Sequence, residues 1–91
     1  MIKDVIHTSQ FRKDLKKVIR QGKNYDELEA IVERLAYSKP LDARNREHTL
    51  SGNWSGYQEC HIRTDWLLIY KTDAETVKLY RTGSHSELFN K

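Results

Sequence analysis

The 91-residue length fits one domain, spanning residues 1–91, and leaves no room for two. Hydrophobic residues make up 37% of the chain and charged residues 32%, and no apolar run approaches the roughly 20 residues that a membrane span needs. The single cysteine, Cys60, excludes an internal disulfide and a cysteine-rich zinc site, and it is consistent with a reducing cytoplasm.

Positive charge is concentrated at the start of the chain. The net charge is only +3, but residues 1–23 hold seven Lys or Arg residues against two acidic ones. Such a basic patch attracts polyanions, nucleic acid among them, although a solvated helix face explains the same pattern. The first residues contain no apolar segment of the signal-peptide kind, so we expect no signal peptide and a cytoplasmic protein.

The first half of the chain predicts a short strand over residues 2–6 and then a helix that Thr8 or Ser9 caps. Gly22 is placed to end this helix. Its apolar stripe consists of Phe11, Leu15, Val18 and Ile19. Its opposite side carries the basic residues Arg12, Lys13, Lys16, Lys17 and Arg20.

A second helix follows after a link so short that the two helices are expected to form an antiparallel hairpin. Asn24 and Glu27 have the spacing of a capping box, and Pro40 is expected to end the helix at or just before Lys39. The predicted apolar face consists of Tyr25, Leu28, Ile31, Val32 and Leu35.

The second half of the chain has strand periodicity. Residues 41–56 are polar and are expected to be irregular; residues 57–63 then alternate between two faces. Residues 66–70 form an apolar run typical of a central strand, and residues 76–81 are rich in β-formers. The fold class predicted is α+β, with an N-terminal helical hairpin packed on one face of an antiparallel sheet.

The candidate catalytic groups lie in this second half. They are His48, His61, Asp65, Arg81 and His85, and short hairpins would bring them to one end of the sheet. Histidine suits proton transfer near neutral pH, and arginine stabilises charge on a phosphate. RNA carries its own nucleophile, the 2′-hydroxyl, so this set predicts metal-independent RNA cleavage to a 2′,3′-cyclic phosphate and a 5′-hydroxyl.

Structural interpretations of the same residues remain open. His61 also fits an exposed strand position, His85 a neighbour of a helix cap, and Asp65 a turn. A histidine set that binds a metal ion is a further alternative, but no His-x-x-x-His or Cys-x-x-Cys spacing supports it.

Two further candidates compete with burial. Trp66 fits the core better than a surface that stacks on bases. Arg81 shares strand parity with Val77 and Leu79, which we expect to be buried. A functional Arg81 therefore requires a bulge or a strand end that turns its side chain outward.

Three segments resemble one known family, the YafQ-type toxins of the RelE/ParE superfamily. Residues 47–54, EHTLSGNW, resemble its DHxLxGxW segment, and residues 57–70, YQECHIRTDWLLIY, resemble its R(D/E)xHIxPDWLLIY segment. Residues 81–89, RTGSHSELF, resemble its RxGSHSxLF ending. Glu59 stands where some members have aspartate, and Thr64 where relatives often have proline. Three segments in register make the resemblance specific.

The resemblance implies a RelE-like microbial ribonuclease fold and the toxin of a type II toxin–antitoxin pair. Members of this family cut messenger RNA in the A site of the 70S ribosome. Implied partners are therefore a cognate antitoxin of the DinJ or RelB kind, the ribosome and mRNA, with no cofactor. We expect the free toxin to be a monomer. A toxin of the same superfamily that binds DNA gyrase without catalysis, as ParE does, is the alternative.

The family's functional positions fall on His48, His61, Asp65, His85 and Phe89 of this sequence, with Arg81 and Trp66 in support. The resemblance favours His85 as general acid. His61 and Asp65 would supply or position the base, and His48 would assist.

The remaining implied roles concern substrate binding. Arg81 would hold the phosphate, and Phe89 would stack on a nucleobase or close the core behind His85. The basic face of the first helix, with Trp66 as a supporting candidate, would bind ribosomal RNA through Arg12, Lys13, Lys16, Lys17 and Arg20.

Overall fold

The structure is a computed structural model that describes residues 2–89. It contains a five-stranded sheet with the order β1-β5-β4-β3-β2, and two long helices and one short helix pack on it. The elements are β1 (Asp4–His7), α1 (Ser9–Arg20), α2 (Tyr25–Ala36), β2 (His48–Thr49), β3 (Gln58–Arg63), β4 (Trp66–Thr72), β5 (Thr76–Gly83) and α3 (His85–Phe89).

The sheet is mixed. Strands β2 to β5 are antiparallel in chain order, as predicted. Strand β1, however, pairs parallel to β5, with Asp4 opposite Thr76 and His7 opposite Leu79. The α+β prediction is confirmed, and its antiparallel description is corrected for the first strand. A parallel pair needs a long connection, and the chain between β1 and β5 contains both long helices and the rest of the sheet.

Helix α1 begins where the sequence predicts, because the Thr8 hydroxyl accepts a hydrogen bond from the Phe11 amide. Phe11 and Val18 are buried, but Ile19 is 47% exposed, so its predicted place on the buried stripe is wrong. Asp14 lies on the buried face instead, only 7% exposed. It is three residues after Phe11 and four before Val18, which is helical spacing on one face.

Helix α2 begins at Asn24, whose side chain accepts from the Asp26 amide. The predicted capping box does not form, because Asn24 caps the Asp26 amide instead of the Glu27 amide and the Glu27 carboxylate binds Arg63 on β3. The helix ends at Ala36 rather than near Lys39. Ser38 adopts a left-handed conformation with φ of 56°, so the turn itself ends the helix before Pro40 can. Tyr25, predicted on the apolar face, is 40% exposed.

The sheet has an apolar layer on each face. Residues 66–70 are all buried, so the predicted central strand is confirmed. The face under α1 and α2 is packed with Phe11, Val18, Leu28, Ile31, Leu35, Cys60, Trp66, Leu68, Tyr70, Val77 and Leu79. On the opposite face, α3 places Leu88 over Leu67 and Ile69. The catalytic candidates His48 and His61 lie on this second face, since His61 pairs with Leu67, and His48 pairs with Glu59, two residues before His61.

The segment 41–56 was predicted to be irregular, but it contains short regular elements. Two 3₁₀ turns, Ala43–Asn45 and Gly52–Trp54, flank the two-residue strand β2. Asn45 is buried, and its side chain donates to the His61 carbonyl at 2.8 Å, which fastens the segment to β3. Within residues 2–89, none of the helices combines the length and the apolar character that a membrane crossing requires.

Candidate active site

Strands β2 and β3 place His48, Glu59 and His61 on the sheet face that α1 and α2 leave uncovered. His48 lies directly opposite Glu59 in the antiparallel register, so the two side chains share a face. His61 follows Glu59 by two residues on β3 and therefore points to the same side. Glu59 is 4% exposed, which makes it a buried carboxylate between two imidazoles.

One oxygen of Glu59 contacts both His48 and His61. His48 Nδ1 lies 2.8 Å from the Arg46 carbonyl oxygen, which can only accept, so Nδ1 carries a proton. His48 Nε2 lies 3.2 Å from Glu59 Oε1, and His61 Nε2 lies 3.6 Å from the same oxygen. A favourable contact between His48 and Glu59 then needs a second proton, on the ring or on the carboxyl group. Both imidazoles therefore lie within reach of one oxygen of a buried carboxyl group.

His85 is held by Asp65, a residue of the turn between β3 and β4. Asp65 Oδ1 accepts from the His85 amide at 2.9 Å and lies 2.6 Å from His85 Nδ1. These two hydrogen bonds lower the pKa of the Asp65 carboxyl below its usual range, so it is ionised at neutral pH. An ionised carboxylate fixes the proton on Nδ1 and leaves Nε2 to face outward. The sequence had grouped Asp65 with His61, but its hydrogen bonds are to His85.

Glu87 fixes the short helix α3 that carries His85. The Ser84 amide donates to Glu87 Oε1, and the Glu87 amide donates to the Ser84 hydroxyl, which completes a capping box. Glu87 Oε2 also contacts Lys17 Nζ at 2.9 Å and accepts from Gln21 at 3.1 Å. The hydrogen bonds from Lys17 and from the Ser84 amide lower the pKa of Glu87 to about 2. Helix α1 therefore positions α3 through one carboxylate.

The three imidazoles form a row. The ring centroids of His61 and His85 are 5.5 Å apart, and those of His48 and His61 are 6.4 Å apart. One end of the row, His85, is exposed and paired with an ionised carboxylate, whereas the other end, His48, contacts buried Glu59. Two proton-transfer groups in different environments are what a general acid and a general base require.

Arg81 lies at a β-bulge. The pairing of β4 with β5 shifts so that Tyr70 faces Leu79 and Ile69 faces Arg81, which breaks the parity of Arg81 with Leu79. Its Nε and Nη2 bind the two carboxylate oxygens of Asp14 at 2.7 and 3.3 Å. Its side chain keeps 25% of its surface exposed. The guanidinium is thus bound to α1 with part of its surface open.

Trp66 lies in the core. It is 2% exposed, and its indole N–H donates to the Thr82 hydroxyl at 2.9 Å. This burial leaves Trp66 no surface for RNA, so its inclusion among the RNA-binding candidates is corrected. Phe89 is half-buried, and its ring meets Trp54 edge-on at 6.3 Å beside Leu88. That contact supports the interpretation in which Phe89 closes the core behind His85.

The basic face of α1 is exposed, as its spacing predicts. The exposed members of this set are Arg12, Lys13, Lys16, Lys17 and Arg20. Lys17 differs from the others because its ammonium group is bound to Glu87. The exposed side of α1 is therefore positively charged, but the charge of Lys17 is partly neutralised by Glu87.

Four residues that contribute to the site, Asn45, Glu59, Ser84 and Glu87, were not among the candidates predicted from the sequence. Alternation along β3 does place Glu59 beside His61, so the signal for Glu59 was present. The spacing of Ser84 and Glu87 is that of a capping box. Asn45 gives no such signal, because its partner is 16 residues away. Across residues 2–89, no group of three or more His, Cys, Asp or Glu side chains is arranged to hold a metal ion.

Comparisons with known proteins agree on one family. A family model described as "Bacterial toxin of type II toxin-antitoxin system, YafQ" matches residues 3–90. The mRNA interferase toxin YafQ of Escherichia coli K12 is 34% identical over 88 residues, which cover 96% of each chain. The crystal structure of YafQ from E. coli BL21(DE3) superposes with a TM-score of 0.90 at 33% identity, covering 96% of this chain and 98% of that one. In the crystal structure of the E. coli DinJ–YafQ toxin–antitoxin complex, the matching chain has a TM-score of 0.88 at 33% identity, with coverage of 98% and 99%.

Proposed function

The chain belongs to the YafQ family of type II toxins, and we propose that it is an endoribonuclease that cuts messenger RNA on the translating ribosome. The observation that carries this proposal is the row of three imidazoles, with an ionised Asp65 at one end and buried Glu59 at the other. A relative that is 34% identical bears the name mRNA interferase, which supports the same activity. Cleavage of translated messages puts the protein in the cytoplasm.

His85 is the general acid in this proposal. Asp65 binds Nδ1 and the backbone amide, so the imidazole is fixed with Nε2 toward the substrate. The negative carboxylate stabilises the protonated ring, which is the form that donates a proton to the leaving 5′-oxygen. Asp65 is therefore a positioning residue for the acid.

His61 is the base, and Glu59 and His48 form the site that accepts its proton. The base removes the proton of the 2′-hydroxyl, and the 2′-oxygen then attacks the adjacent phosphorus. The bond from phosphorus to the 5′-oxygen breaks, which leaves a 2′,3′-cyclic phosphate and a 5′-hydroxyl end. Because the nucleophile belongs to the substrate, the reaction needs no metal ion.

Arg81 binds the phosphate in the transition state. Asp14 orients its guanidinium through Nε and Nη2, and the N–H groups that Asp14 does not bind are available for phosphate oxygens. Phe89 supports the position of His85 through its contact with Trp54. The cognate partner is an antitoxin of the DinJ kind, because a DinJ–YafQ complex has a toxin chain of this fold.

The decisive experiment compares the wild type with His85→Ala, both induced in bacteria, while growth is followed and the 5′ ends of mRNA are mapped. We expect growth arrest and new 5′-hydroxyl ends at fixed codon positions for the wild type. For His85→Ala we expect a cleavage rate on programmed ribosomes lower by about 10²- to 10⁴-fold, the usual contribution of a general acid. Growth arrest by both proteins without new ends would instead support a toxin that acts by binding, such as a gyrase inhibitor.

The same ribosome assay tests the independence from metal ions. Treatment of the purified toxin with a chelator, followed by removal of the chelator before ribosomes are added, is expected to leave the cleavage rate unchanged. Loss of activity that returns with one divalent metal ion would contradict a mechanism based only on imidazoles.

A further inference from the structure

A groove of about 800 Å³ adjoins the proposed catalytic row at His61. Helix α2 forms one wall, the segment 42–46 forms the other, and the end of β3 with His61 and Ile62 lines it between them. The volume lies within the range of roughly 300–1,000 Å³ that is typical of ligand sites. A bound segment of one or two nucleotides would fit.

The lining of the groove is rich in arginine. Arg34, Arg44, Arg46 and Arg63 line it, against the carboxylates of Asp26, Glu27 and Asp42. Asp42 serves two arginines, since it lies 3.9 Å from Arg34 and 3.5 Å from Arg44. Within the described part of the chain, no carboxylate lies at ion-pair distance from Arg46. Positive charge therefore exceeds negative charge along the wall formed by residues 42–46.

This wall is joined directly to the catalytic histidines. Asn45 donates to the His61 carbonyl at 2.8 Å, and the Arg46 carbonyl contacts His48 Nδ1 at 2.8 Å. Arg46 itself is in a left-handed conformation with φ of 47°, a strained arrangement for a residue with a side chain. His61 also lines the groove, so the groove adjoins the proposed base.

Glu27 on α2 binds Arg63, which lies at the end of β3 between the two walls. Arg63 Nε donates to Glu27 Oε2 at 2.8 Å, and Nη2 donates to Oε1, so the pair is bidentate. The hydrogen bonds from Arg63 lower the pKa of the Glu27 carboxyl, which is therefore ionised at neutral pH. Even so, 70% of the Arg63 side-chain surface stays exposed, and part of its guanidinium is open to a second anion.

We propose that this groove binds the single-stranded mRNA segment next to the cleaved phosphate, with Arg46 and Arg63 as phosphate contacts and Glu27 as a counter-ion that weakens the binding. Continuity with His61 favours the substrate strand over a protein segment. The inference rests on the proposed ribonuclease function, because it identifies where the substrate of that same site lies.

The central test uses substitutions with opposite expected signs. Arg46→Ala and Arg63→Ala each remove a phosphate contact, and each is expected to weaken binding about fivefold and to reduce the salt dependence by about one ion. Glu27→Gln removes the competing charge and keeps the size of the side chain, so it is expected to strengthen binding a few-fold. Lys78→Ala, which removes one positive charge from β5, is the control.

Binding is measured by fluorescence anisotropy with a labelled 2′-O-methyl RNA oligonucleotide, which lacks the attacking hydroxyl and cannot be cut. If Arg63→Ala and Glu27→Gln change the affinity in the same direction, the pair only joins α2 to β3, and the proposal is overturned. It is equally overturned if the arginine variants bind RNA as Lys78→Ala does, or if they lose affinity for the antitoxin alone. Thermal unfolding of each variant checks that the fold is retained.

A parallel assay on programmed ribosomes separates this inference from the function it rests on. If the wild type cuts mRNA and the arginine variants show a higher KM with a similar kcat, both stand. If the wild type cuts mRNA and the variants have the KM of Lys78→Ala, the groove assignment fails and the ribonuclease function stands. If the wild type does not cut mRNA while RNA binding still depends on Arg46 and Arg63, the function fails and the groove remains an RNA site.

Discussion

The buried carboxyl groups on the two faces of the sheet, Asp14 and Glu59, have different hydrogen-bonding partners. Under α1, Asp14 accepts from Arg81, from the Thr82 amide and from Gln10, so every contact has a proton donor whose state is fixed. On the opposite face, Glu59 contacts the imidazole rings of His48 and His61, each of which can donate or accept a proton. The first carboxylate joins α1 to β5. In the proposed mechanism, the second accepts a proton from the base. Burial alone does not distinguish them, but the identity of the donors does.

The largest effect expected from this comparison is on stability. Asp14→Ala leaves the Arg81 guanidinium and the buried Thr82 amide without their acceptor, which is expected to cost about 3 kcal/mol of unfolding free energy. Urea denaturation measures it. An Asp14→Ala protein as stable as the wild type would show that the network contributes little to the fold.

Glu59→Gln tests the other face. The amide keeps the shape of the carboxylate but cannot share a proton, so we expect kcat to fall about tenfold and its pH dependence to change shape. The melting temperature is expected to change little, because the amide has the size of the carboxyl group and can still hydrogen-bond to both imidazoles. A large drop in stability with an unchanged pH profile would mean that both faces use their carboxylates for structure.

A smaller effect is expected from the basic face of α1. Lys13→Ala with Lys16→Ala removes two exposed charges, and ribosome binding should weaken with a salt slope lower by about two. Lys17→Ala is the informative comparison, since its ammonium group is already bound to Glu87. It should weaken ribosome binding less than Lys13→Ala does. Equal effects of the two substitutions would show that the ion pair does not persist on the ribosome.

The smallest effect concerns acid stability. The pKa of Glu87 is lowered to about 2 in the folded chain. The ionised Glu87 carboxylate therefore stabilises the fold fully at pH values above the usual pKa of a glutamate. This stabilisation is lost as the pH falls from about 4.5 towards 2. Glu87→Gln keeps the capping box but removes the negative charge that Lys17 binds. We therefore expect the free energy of unfolding to fall by about 1 kcal/mol at neutral pH and to depend less on pH in the acid range. If the free energy of unfolding of the variant depends on acid pH as that of the wild type does, Lys17 and Gln21 do not stabilise the carboxylate in solution.

Periodicity predicted the elements that bury apolar side chains. Phe11 and Val18 on α1 and the run 66–70 were found this way, because burial repeats with the geometry of the element. Asp14 was missed because a charged residue on an apolar stripe is recognised only when its partners, 67 and 68 positions away, are known. The parallel pairing of β1 was missed for the same reason, since spacing within a strand does not reveal its neighbour.

The sequence predicted which residues form the candidate site better than it predicted which of them bind each other. The resemblance supplied His48, His61, Asp65 and His85, and the structure brings them to one face. Which carboxylate serves which imidazole was decided by the turn at 64–65 and by α3, whose start at His85 brings the backbone amide to Asp65. The groove next to His61 could not be predicted from the sequence, because its lining residues come from three separate segments of the chain.

The parallel pairing of β1 with β5 also affects how the chain folds. Thr8, at the end of β1, contacts the Tyr80 carbonyl across 72 sequence positions. Such distant contacts raise the contact order, and closing so long a loop has an entropic cost that slows folding. The helices α1 and α2 are local and can form early, whereas β1 must wait for β5. Because β5 leads directly into α3, we expect the pairing of β1 with β5 and the contact of His85 with Asp65 to form in the same late step of folding.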